Sequence, residues 1–349
     1  MWGDGDGDME LELLRTKLEA ILDKKVTAHE AALVPAPGVE TFAAEDGVIA
    51  VHGELTETER NLIALLLEQG RRTERKGKGG AVDEELQSAL LSAWLLERLD
   101  HGDHDAALPD ALARWPKLGG VKLPLLLYGE YSERQTSAVY DELKKLLKSF
   151  FEADVVLVPL HAKEWLILAD ETLLAQERDG EEETLEDAIS ALASGLQDMA
   201  ANEWVGECHV AATYPVSPGT SLVQTAAALR ETVELGRAYR VSSYIHMPWE
   251  LRLETLLDAA PRKAKLRFLE GVLRRAEPAF ETEMLLTIEA FFAENCNVSD
   301  TAKRLYIHRN TLLYRLDKFK QETGMDVRDF DHAVLVRLAL MLYKVTKRK

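Results

Sequence analysis

The sequence predicts an α+β multidomain protein. The chain has 349 residues, which is long enough for two or three domains. In the middle of the chain, short apolar runs alternate with amphipathic helical segments, and from about Arg252 onward the apolar spacing is helical. We therefore expect a small N-terminal α/β module over residues 1–110, a central ferredoxin-like domain over 120–255 and an all-helical domain over 262–349.

Composition and the N-terminal stretch indicate the class of protein. Hydrophobic residues make up 46% of the chain, which is enough to form cores. No apolar run approaches the roughly 18 residues that cross a bilayer, and MWGDGDGDMELELL is acidic where a signal peptide would be basic. We expect a cytoplasmic protein without a membrane partner. The two cysteines, Cys208 and Cys296, form no CxxC, which argues against a disulfide framework or a thiolate zinc site.

The net charge of −18 argues against nucleic-acid binding by the whole surface. It leaves room for one local basic face, because charges are screened beyond about 8–10 Å at cellular salt. Residues 299–322 contain six Lys and Arg side chains and three acidic ones. The charge balance therefore inverts in this segment, which makes it a candidate for such a face.

In the N-terminal module, leucines on one stripe predict a helix over residues 9–25. Three short segments follow, and proline and glycine separate them. They are EAALVPA, GVETFAA and GVIAVHGEL. Segments of this kind predict a small antiparallel meander.

Two more helices are predicted before the central domain. The first is ETERNLIALLLEQ, with Thr56 or Thr58 as its N-cap. A charged, glycine-rich linker, RRTERKGKGG, separates it from the second helix, around VDEELQSALLSAWLLERL. The stretch DHGDHDAALPDALARWPKLGG is then predicted to be an irregular connector.

The central region begins with the apolar run VKLPLLLYGE, which suits a buried strand. After a helix come two strands, ADVVLVPL and EWLILAD, which the tight connection HAK joins as a hairpin. A helix, a strand, a third helix and a short last strand complete the order β-α-β-β-α-β-α-β. This order favours an antiparallel or mixed sheet with helices on one face, which is a ferredoxin-like plan.

Two short helices are predicted near the C-terminus. The apolar stripe of TEMLLTIEAFFAENC breaks at residues 295–297, and Ser299 stands at the N-cap position of the next helix. The turn YIH follows, and His308 can cap a further helix, which stops at Gly324, a residue suited to the C′ position. The apolar residues change phase at YIH, and we interpret this change as a turn between two helices.

A helix-turn-helix needs a small residue where its helices touch, a tight turn, and an apolar residue on each side of that turn. Tyr306 occupies the turn position that is often glycine, so we expect a less tight or strained turn there. The predicted core of the motif is Ala302, Leu305, Ile307, Leu312 and Leu316.

The second of these helices carries side chains that suit DNA. Residues in its first turn would enter a major groove, where arginine can bind guanine and asparagine can bind adenine. The base-reading candidates are Arg309, Asn310, Thr311, Tyr314 and Arg315. The phosphate-binding candidates are Lys303, Arg304, His308, Lys318 and Lys320. A solvated three-helix subdomain with ordinary surface charges is the alternative, and it accounts for fewer of these features.

The stretch NVSDTAKRLYIHRNTLLYRLDKFKQETGMD resembles the C-terminal helix-turn-helix of the PucR/CdaR family of bacterial transcriptional regulators. The resemblance covers roughly residues 281–345, and IHRNTLLYRL is its most specific part. It implies double-stranded DNA as a partner, binding as a homodimer, and control of metabolic or transport genes. It also implies a small-molecule effector of unknown identity. By position it gives the groove-facing role to the five base-reading candidates.

The central β-α-β-β-α-β order resembles the GGDEF-like domain that often precedes this helix-turn-helix. Diguanylate cyclases of that fold bind nucleotide and metal through a Gly-Gly-acid-Glu-Phe hairpin and an Asp on the first strand. Here the hairpin reads PLHAKEWL, so Lys163 replaces the acid, and Glu164 and Trp165 only echo the Glu-Phe pair. The first strand offers only Glu130. We expect a catalytically degenerate domain, and no enzyme.

Other residue clusters give weaker indications. The stretch HGDHD, residues 101–105, has metal-ligand residue types, but it lies in a connector and a polar loop is favoured. Cys208 is expected in the core beside an edge histidine, His209, without a third member of a nucleophilic set. No catalytic residue, metal site or cofactor is therefore predicted.

Three functions compete. The first is a DNA-binding transcriptional regulator, the second is a cyclic-nucleotide signalling enzyme, and the third is a protein-interaction scaffold whose helical end binds a partner. The hairpin sequence argues against the enzyme. Salt dependence would separate the regulator from the scaffold, because a protein that neutralises several phosphates loses affinity steeply as salt rises.

Overall fold

The computed structural model shows two compact units. One comprises the described residues of 1–234 and 243–250, and the other comprises those of 235–242 and 251–349. The described residues are 15–16, 18–19, 24–29, 38–44, 47–55, 60, 63, 79–129, 136–161, 163–174, 184–204, 206–240, 243–273 and 282–346. The three predicted domain boundaries stay predictions, and the first unit holds parts of two of the predicted domains.

A three-stranded antiparallel sheet begins the first unit, as predicted. Its strands are β1 (Val26–His29), β2 (Val39–Ala43) and β3 (Val48–His52), in the order β1-β3-β2. Strand β3 lies between the other two strands and pairs with both, so these three strands do not form a meander. Strand β1, VTAH, was not predicted, and the whole predicted segment EAALVPA, residues 30–36, lies outside the described residues.

The helices beside this sheet are described only in part. The predicted helix over 9–25 is helical at residues 15–16 and 18–19, whereas Lys24 and Lys25 are not helical. Both predicted N-caps of the next helix, Thr56 and Thr58, lie outside the described residues. Helix α1 (Gly79–His101) begins inside the predicted linker, whose last two glycines are helical.

The predicted irregular connector is packed instead. It holds α2 (Asp110–Ala113) and a 3₁₀ turn (Pro116–Leu118). Its apolar side chains recur every three or four residues, so they face one side and join the hydrophobic core that contains α1. These buried side chains are Leu108, Leu112, Trp115 and Leu118. Polar residues between them make this helical spacing hard to recognise in the sequence.

A five-stranded sheet forms the centre of the first unit. Its elements follow the predicted order β-α-β-β-α-β-α-β. They are β4 (Lys122–Gly129), α3 (Thr136–Phe151), β5 (Val156–Pro159), β6 (Glu164–Asp170), α4 (Leu185–Glu203), β7 (Cys208–Ala212), α5 (Pro218–Tyr239) and β8 (Ile245–His246). The strand order is β5-β6-β4-β7-β8, with antiparallel pairing except between β7 and β8. The predicted mixed sheet is confirmed.

Helices cover both faces of this sheet, so the prediction of helices on one face is wrong. On β4, Leu123, Leu125 and Leu127 pack with α3 and α4, whereas Leu126 packs in the core that contains α1 and α5. A strand buried on both faces reads as a continuous apolar run, as KLPLLLYG does. The apolar run KLPLLLYG therefore indicates that both faces of β4 are covered.

The edge strand β5 is closed by side chains from α1. The hydroxyl of Ser88 donates to the carbonyl oxygen of Leu157, and that of Ser92 donates to the carbonyl oxygen of Pro159. An uncovered edge strand leaves carbonyl and amide groups open to pairing with another chain. These two serines satisfy two such carbonyls and join α1 to the central sheet.

The second unit is helical at its described residues, as predicted. Its helices are α6 (Arg252–Asp258), α7 (Arg262–Leu273), α8 (Thr282–Ala293), α9 (Val298–Arg304), α10 (Arg309–Thr323) and α11 (Phe330–Thr346). Helices α7 to α11 share one hydrophobic core, in which Ile288, Phe291 and Leu312 are fully buried. In the described part of the chain, no helix is long and apolar enough to cross a membrane.

Candidate nucleic-acid interface

Helix α9 begins one residue after Asn297, which is its N-cap. The side-chain oxygen of Asn297 accepts hydrogen bonds from the backbone amides of Ser299 (2.9 Å) and Asp300 (3.3 Å). The prediction that Ser299 is the N-cap is therefore wrong, because Ser299 already lies inside the helix. Serine and asparagine are about equally good caps, so the sequence alone could not choose between two caps two positions apart.

The end of α8 places Asn297 at this position. The amide of Cys296 donates to the carbonyl of Phe291 (2.8 Å), and that of Asn295 donates to the carbonyl of Phe292 (3.2 Å). This is the bond pattern of a Schellman motif, which ends a helix with a left-handed residue. Asn295 and Cys296 have φ angles of 51° and 62°. The chain therefore leaves α8 through two left-handed residues, and Asn297 follows as the N-cap of α9.

A second Schellman motif forms the turn between α9 and α10. The amide of Ile307 donates to the carbonyl of Ala302 (3.0 Å), and the amide of Tyr306 donates to that of Lys303 (3.1 Å). Tyr306 has a φ angle of 52° and is 96% exposed. The turn is tight and its hydrogen bonds are made, so the predicted strain lies in the left-handed backbone of a residue that has a Cβ atom.

Both predicted ends of the second helix of the motif are confirmed. The Nδ1 atom of His308 accepts from the amide of Asn310 (3.3 Å), which makes His308 the N-cap of α10. Gly324 has a φ angle of 78° and its amide donates to the carbonyl of Lys320 (2.8 Å). Because Nδ1 is occupied by the cap, only Nε2 of His308 is left for the predicted phosphate contact.

The predicted core of the motif packs together. Ala302, Leu312 and Leu316 are buried, and Leu305 and Ile307 are partly buried against the same cluster. The sequence reading missed Phe319, which is also fully buried there. Its spacing of three residues from Leu316 and seven from Leu312 is the helical period, so the same pattern could have found it.

Three of the five base-reading candidates, Asn310, Thr311 and Tyr314, lie on the outer side of α10, and Arg309 is exposed at its first position. Arg309, Asn310 and Thr311 are exposed in its first turn, and Tyr314 follows one turn later with 69% of its surface exposed. Within residues 299–322, all of which are described, Arg309 is the one Lys or Arg side chain that makes no ion pair. Base reading by these residues stays a prediction.

The fifth candidate, Arg315, faces α8 instead. Its Nη1 donates to the hydroxyl oxygen of Thr287 (3.1 Å), and its Nη2 donates to a carboxylate oxygen of Glu283 (2.5 Å). Only 22% of its side chain is exposed. Arg315 therefore joins α10 to α8 and does not share the outward face of Tyr314.

The four Lys and Arg phosphate candidates each make an ion pair within the second unit. The pairs are Lys303 with Asp300 (3.0 Å), Arg304 with Glu294 (2.7 Å), Lys318 with Glu322 (3.8 Å) and Lys320 with Asp326 (3.0 Å). Between 43% and 78% of each cationic side chain is exposed. Exposed ion pairs contribute about 0–1 kcal/mol. These cations can therefore exchange a carboxylate for a phosphate at small cost.

The Gly-Met-Asp sequence after α10 has a structural role. The guanidinium of Arg328 binds Asp326 (2.8 Å) and Asp317 (2.8 Å), and the Arg328 amide donates to Asp326 (3.1 Å). The hydrogen bond from Arg328 is the main reason that the pKa of Asp326 lies well below its ordinary value, and Lys320 adds to this effect. Arg328 thereby neutralises two carboxylates beside the basic helix.

The central hairpin holds its two motif-like residues inward. A carboxylate oxygen of Glu164 accepts from Nε of Arg230 on α5 (2.8 Å), and only 12% of the Glu164 side chain is exposed. Trp165 is buried, with its ring centroid 6.2 Å from those of Tyr140 and Trp204. Glu130 lies outside the described residues. Among the residues that the structure describes, no group of three or more His, Cys, Asp or Glu is arranged to hold a metal ion.

The histidine beside Cys208 is not at an edge. Strand β7 lies between β4 and β8, so His209 is buried, and its Nδ1 lies 3.0 Å from Nε2 of His246 on β8. Burial raises the pKa of the Cys208 thiol to about 11. The expectation of an edge histidine failed because the short strand β8 adds a fifth strand outside β7. Cys208 itself lies in the core, as expected.

Comparison with known proteins assigns the C-terminal segment. Residues 284–342 match the family model described as the PucR C-terminal helix-turn-helix domain. The chain is 31% identical over 117 residues to the purine catabolism regulatory protein of Bacillus subtilis (strain 168). That match covers 33% of this chain and 22% of the relative. It is also 32% identical over 130 residues to the carbohydrate diacid regulator of Escherichia coli (strain K12), which covers 37% and 34%.

The comparison with solved structures includes the following match. It is the regulator of polyketide synthase expression from Bifidobacterium adolescentis, which is 17% identical, with 75% of this chain and 94% of that chain covered and a TM-score of 0.32. The chain spans about a fifth to a third of the length of the two curated relatives. The matched segment contains α9, α10 and their turn. This segment of the chain is similar to the helix-turn-helix domain of PucR-type proteins.

Proposed function

We propose that the chain is a sequence-specific DNA-binding transcriptional regulator and that α10 reads bases in the major groove. The observation that carries this proposal is the outer side of α10. Asn310, Thr311 and Tyr314 are exposed there, and the opposite side of the helix is buried in the domain core. Arg309 is exposed at the first position of the helix. The PucR-type match over residues 284–342 supports the same role.

The chemistry of these side chains suits base edges. Arginine can donate two hydrogen bonds to guanine, and asparagine can pair with adenine through one donor and one acceptor. Arg309 makes no ion pair, so it loses no partner inside the domain when it binds a base. Each good bidentate contact contributes about 1–3 kcal/mol of discrimination. Arg309 and Asn310 are therefore our first assignments for base recognition.

Phosphate contacts would supply most of the affinity. Lys303, Arg304, Lys318 and Lys320 are exposed and make surface ion pairs that phosphates can replace. Because such binding releases counterions, affinity should fall steeply as salt rises. The net charge of −18 restricts this attraction to the neighbourhood of the motif.

We propose that the protein binds DNA as a homodimer in the cytoplasm. One recognition helix reads only a few base pairs, which is too little to select a site among many competitors. Two copies would read half-sites separated by one helical turn of DNA, or a multiple of it. An operator with inverted half-sites would therefore match a two-fold symmetric dimer.

We propose that the first unit is a regulatory scaffold with a GGDEF-like, catalytically degenerate sheet, and that an effector acts through this unit. The ion pair between Glu164 and Arg230 and the burial of Trp165 support a structural role for the hairpin. Two relatives carry the names purine catabolism regulatory protein and carbohydrate diacid regulator. We therefore propose that the genes controlled by this chain are metabolic or transport genes.

The test is a selection of bound sequences from a pool of randomised DNA duplexes with the full chain. The expected result is an enriched sequence with two inverted half-sites, bound with a steep salt dependence. Arg309→Ala should lose the preference at one base pair, whereas Lys318→Ala should weaken all sequences alike. Arg114→Ala, an exposed arginine of the first unit, is the matched control and should change neither. No enrichment, with binding independent of salt, would favour the interaction scaffold.

A further inference from the structure

We propose that Arg315 is a positioning residue that pins the recognition helix α10 to α8 and does not read a base. This proposal rests on the proposed function, because it concerns the helix that would read DNA. It changes the role that the family resemblance implies for Arg315. The contacts of Arg315 with two side chains of α8 carry the argument.

The helical period places Arg315 on the inner side of α10. Side chains three, four and seven residues apart share one side of a helix. Leu312 lies three residues before Arg315, and Phe319 lies four residues after it, and both are fully buried. Tyr314, its neighbour, is 69% exposed, whereas the Arg315 side chain is 22% exposed. The two neighbouring side chains point about 100° apart, so that of Tyr314 faces solvent while that of Arg315 reaches α8.

The guanidinium of Arg315 is held at two points one turn apart on α8. Thr287 is fully buried, and its hydroxyl donates to the carbonyl of Glu283 (2.8 Å) while it accepts from Nη1 of Arg315 (3.1 Å). Nη2 donates to the Glu283 carboxylate (2.5 Å). Hydrogen bonds that involve a charged group are about twice as strong as neutral ones. A rigid guanidinium bound at two points fixes direction as well as distance.

This clamp would set the rotation of α10 about its own axis. The rotation decides which side chains point outward, and a turn of one residue changes direction by about 100°. Asn310 and Tyr314 face outward only while the inner side of α10 stays on α8. To reach a base, Arg315 would have to leave Thr287 and Glu283, and the buried Thr287 hydroxyl would lose a donor.

The test compares Arg315→Ala, Glu283→Ala and the double variant with wild type and Arg309→Ala, all as the full chain. Amide hydrogen exchange of peptides from α8 and α10 is measured without DNA, since it reports local opening. Base preference is measured by selection from randomised duplexes. Arg315→Ala should speed exchange in both helices and lower affinity for every sequence by roughly tenfold, which is the effect of losing a charged hydrogen bond.

The base-preference profile of Arg315→Ala should keep the wild-type shape, whereas that of Arg309→Ala should lose one position. Glu283→Ala should also speed exchange, and the double variant should add little to either single change, because the two residues act through one contact. Loss of preference at a single base pair with unchanged exchange would overturn the proposal. If wild type selects no sequence, the proposed function fails, and unchanged exchange in Arg315→Ala would separately overturn the clamp.

Discussion

The helix-turn-helix and the central hairpin hold their motif residues in opposite ways. In the helix-turn-helix, one side of α10 is buried in the core, Asn310 and Tyr314 are exposed on the other side, and Arg309 is exposed at the start of the helix. In the hairpin, Glu164 is bound to Arg230 and Trp165 is buried. Exposed side chains that make no contact within the domain can bind a ligand, whereas these hairpin side chains are already used in packing and in an ion pair. The difference separates a helix whose exposed side chains are available to a ligand from a hairpin whose side chains are bound within the fold.

The largest expected effect concerns the hairpin. Trp165→Ala should lower the free energy of unfolding by about 3–5 kcal/mol, because the substitution removes a large buried ring and leaves a cavity. The ring contacts Tyr140 and Trp204, so their packing is lost as well. Denaturant unfolding of the first unit would measure the effect. A loss below about 1 kcal/mol, typical of a surface position, would contradict the structural role of the hairpin.

The next effect concerns the exposed residues in the first turn of α10. Arg309→Ala should weaken binding to a selected DNA site by about 1–3 kcal/mol and leave thermal unfolding unchanged, because its side chain is exposed and makes no ion pair. Asn310→Ala should behave in the same way at a different base pair. Fluorescence anisotropy gives the affinities, and calorimetry gives the unfolding. A large change in the free energy of unfolding, with unchanged affinity for DNA, would show that Arg309 has a structural role like that of Trp165.

A smaller effect concerns the turn of the motif. Tyr306→Gly should stabilise the second unit by about 1 kcal/mol, because a left-handed conformation costs a residue with a Cβ atom roughly 1–2 kcal/mol and costs glycine little. The end of α10 already has glycine in the corresponding position, Gly324 with φ 78°. Tyr306→Ala is the control, since it removes the ring and keeps the Cβ atom. Equal stability of the two variants would contradict the backbone explanation.

The smallest effect is a dependence on pH. The pKa of Asp326 lies below its ordinary value, mainly through the hydrogen bond from Arg328. A lowered folded-state pKa adds stability above the ordinary pKa of 3.8, and this stability is lost as pH falls through the lower folded value. Asp326→Asn should therefore lose less stability than wild type between pH 5 and pH 2. Parallel profiles of stability against pH for the two proteins would show that the ionised Asp326 carboxylate does not stabilise the folded state.

Local patterns in the sequence predicted the helix-turn-helix well. The apolar spacing located α9 and α10, and the chemistry of His308 and Gly324 gave both ends of α10. These features depend on a few neighbouring residues, so a sequence can show them. The predicted N-cap of α9 was wrong because Asn297 and Ser299 are both good caps. The Schellman motif before them places Asn297 at the N-cap position.

Features that depend on distant residues were harder to predict. The apolar run of β4 indicates that both faces of the central sheet are covered, but it does not show that α1 packs against β5, because these two segments lie far apart in the sequence. Arg315 was assigned by its residue type and its place in the motif. Its partners on α8, Glu283 and Thr287, lie about thirty residues earlier. The helical period already indicated that Arg315 shares a side of α10 with Leu312 and Phe319. The sequence-based assignment followed the DNA-binding chemistry of arginine instead.

The most direct test of base reading by α10 is a set of binding cycles with the full chain. Wild type and Arg309→Ala are titrated against the selected duplex and against duplexes with single base-pair changes, at two salt concentrations. The account predicts that Arg309→Ala loses discrimination at one base pair in each half-site and keeps it at all others, with an unchanged salt slope. Uniform weakening at every base pair, or full discrimination by Arg309→Ala, would contradict it.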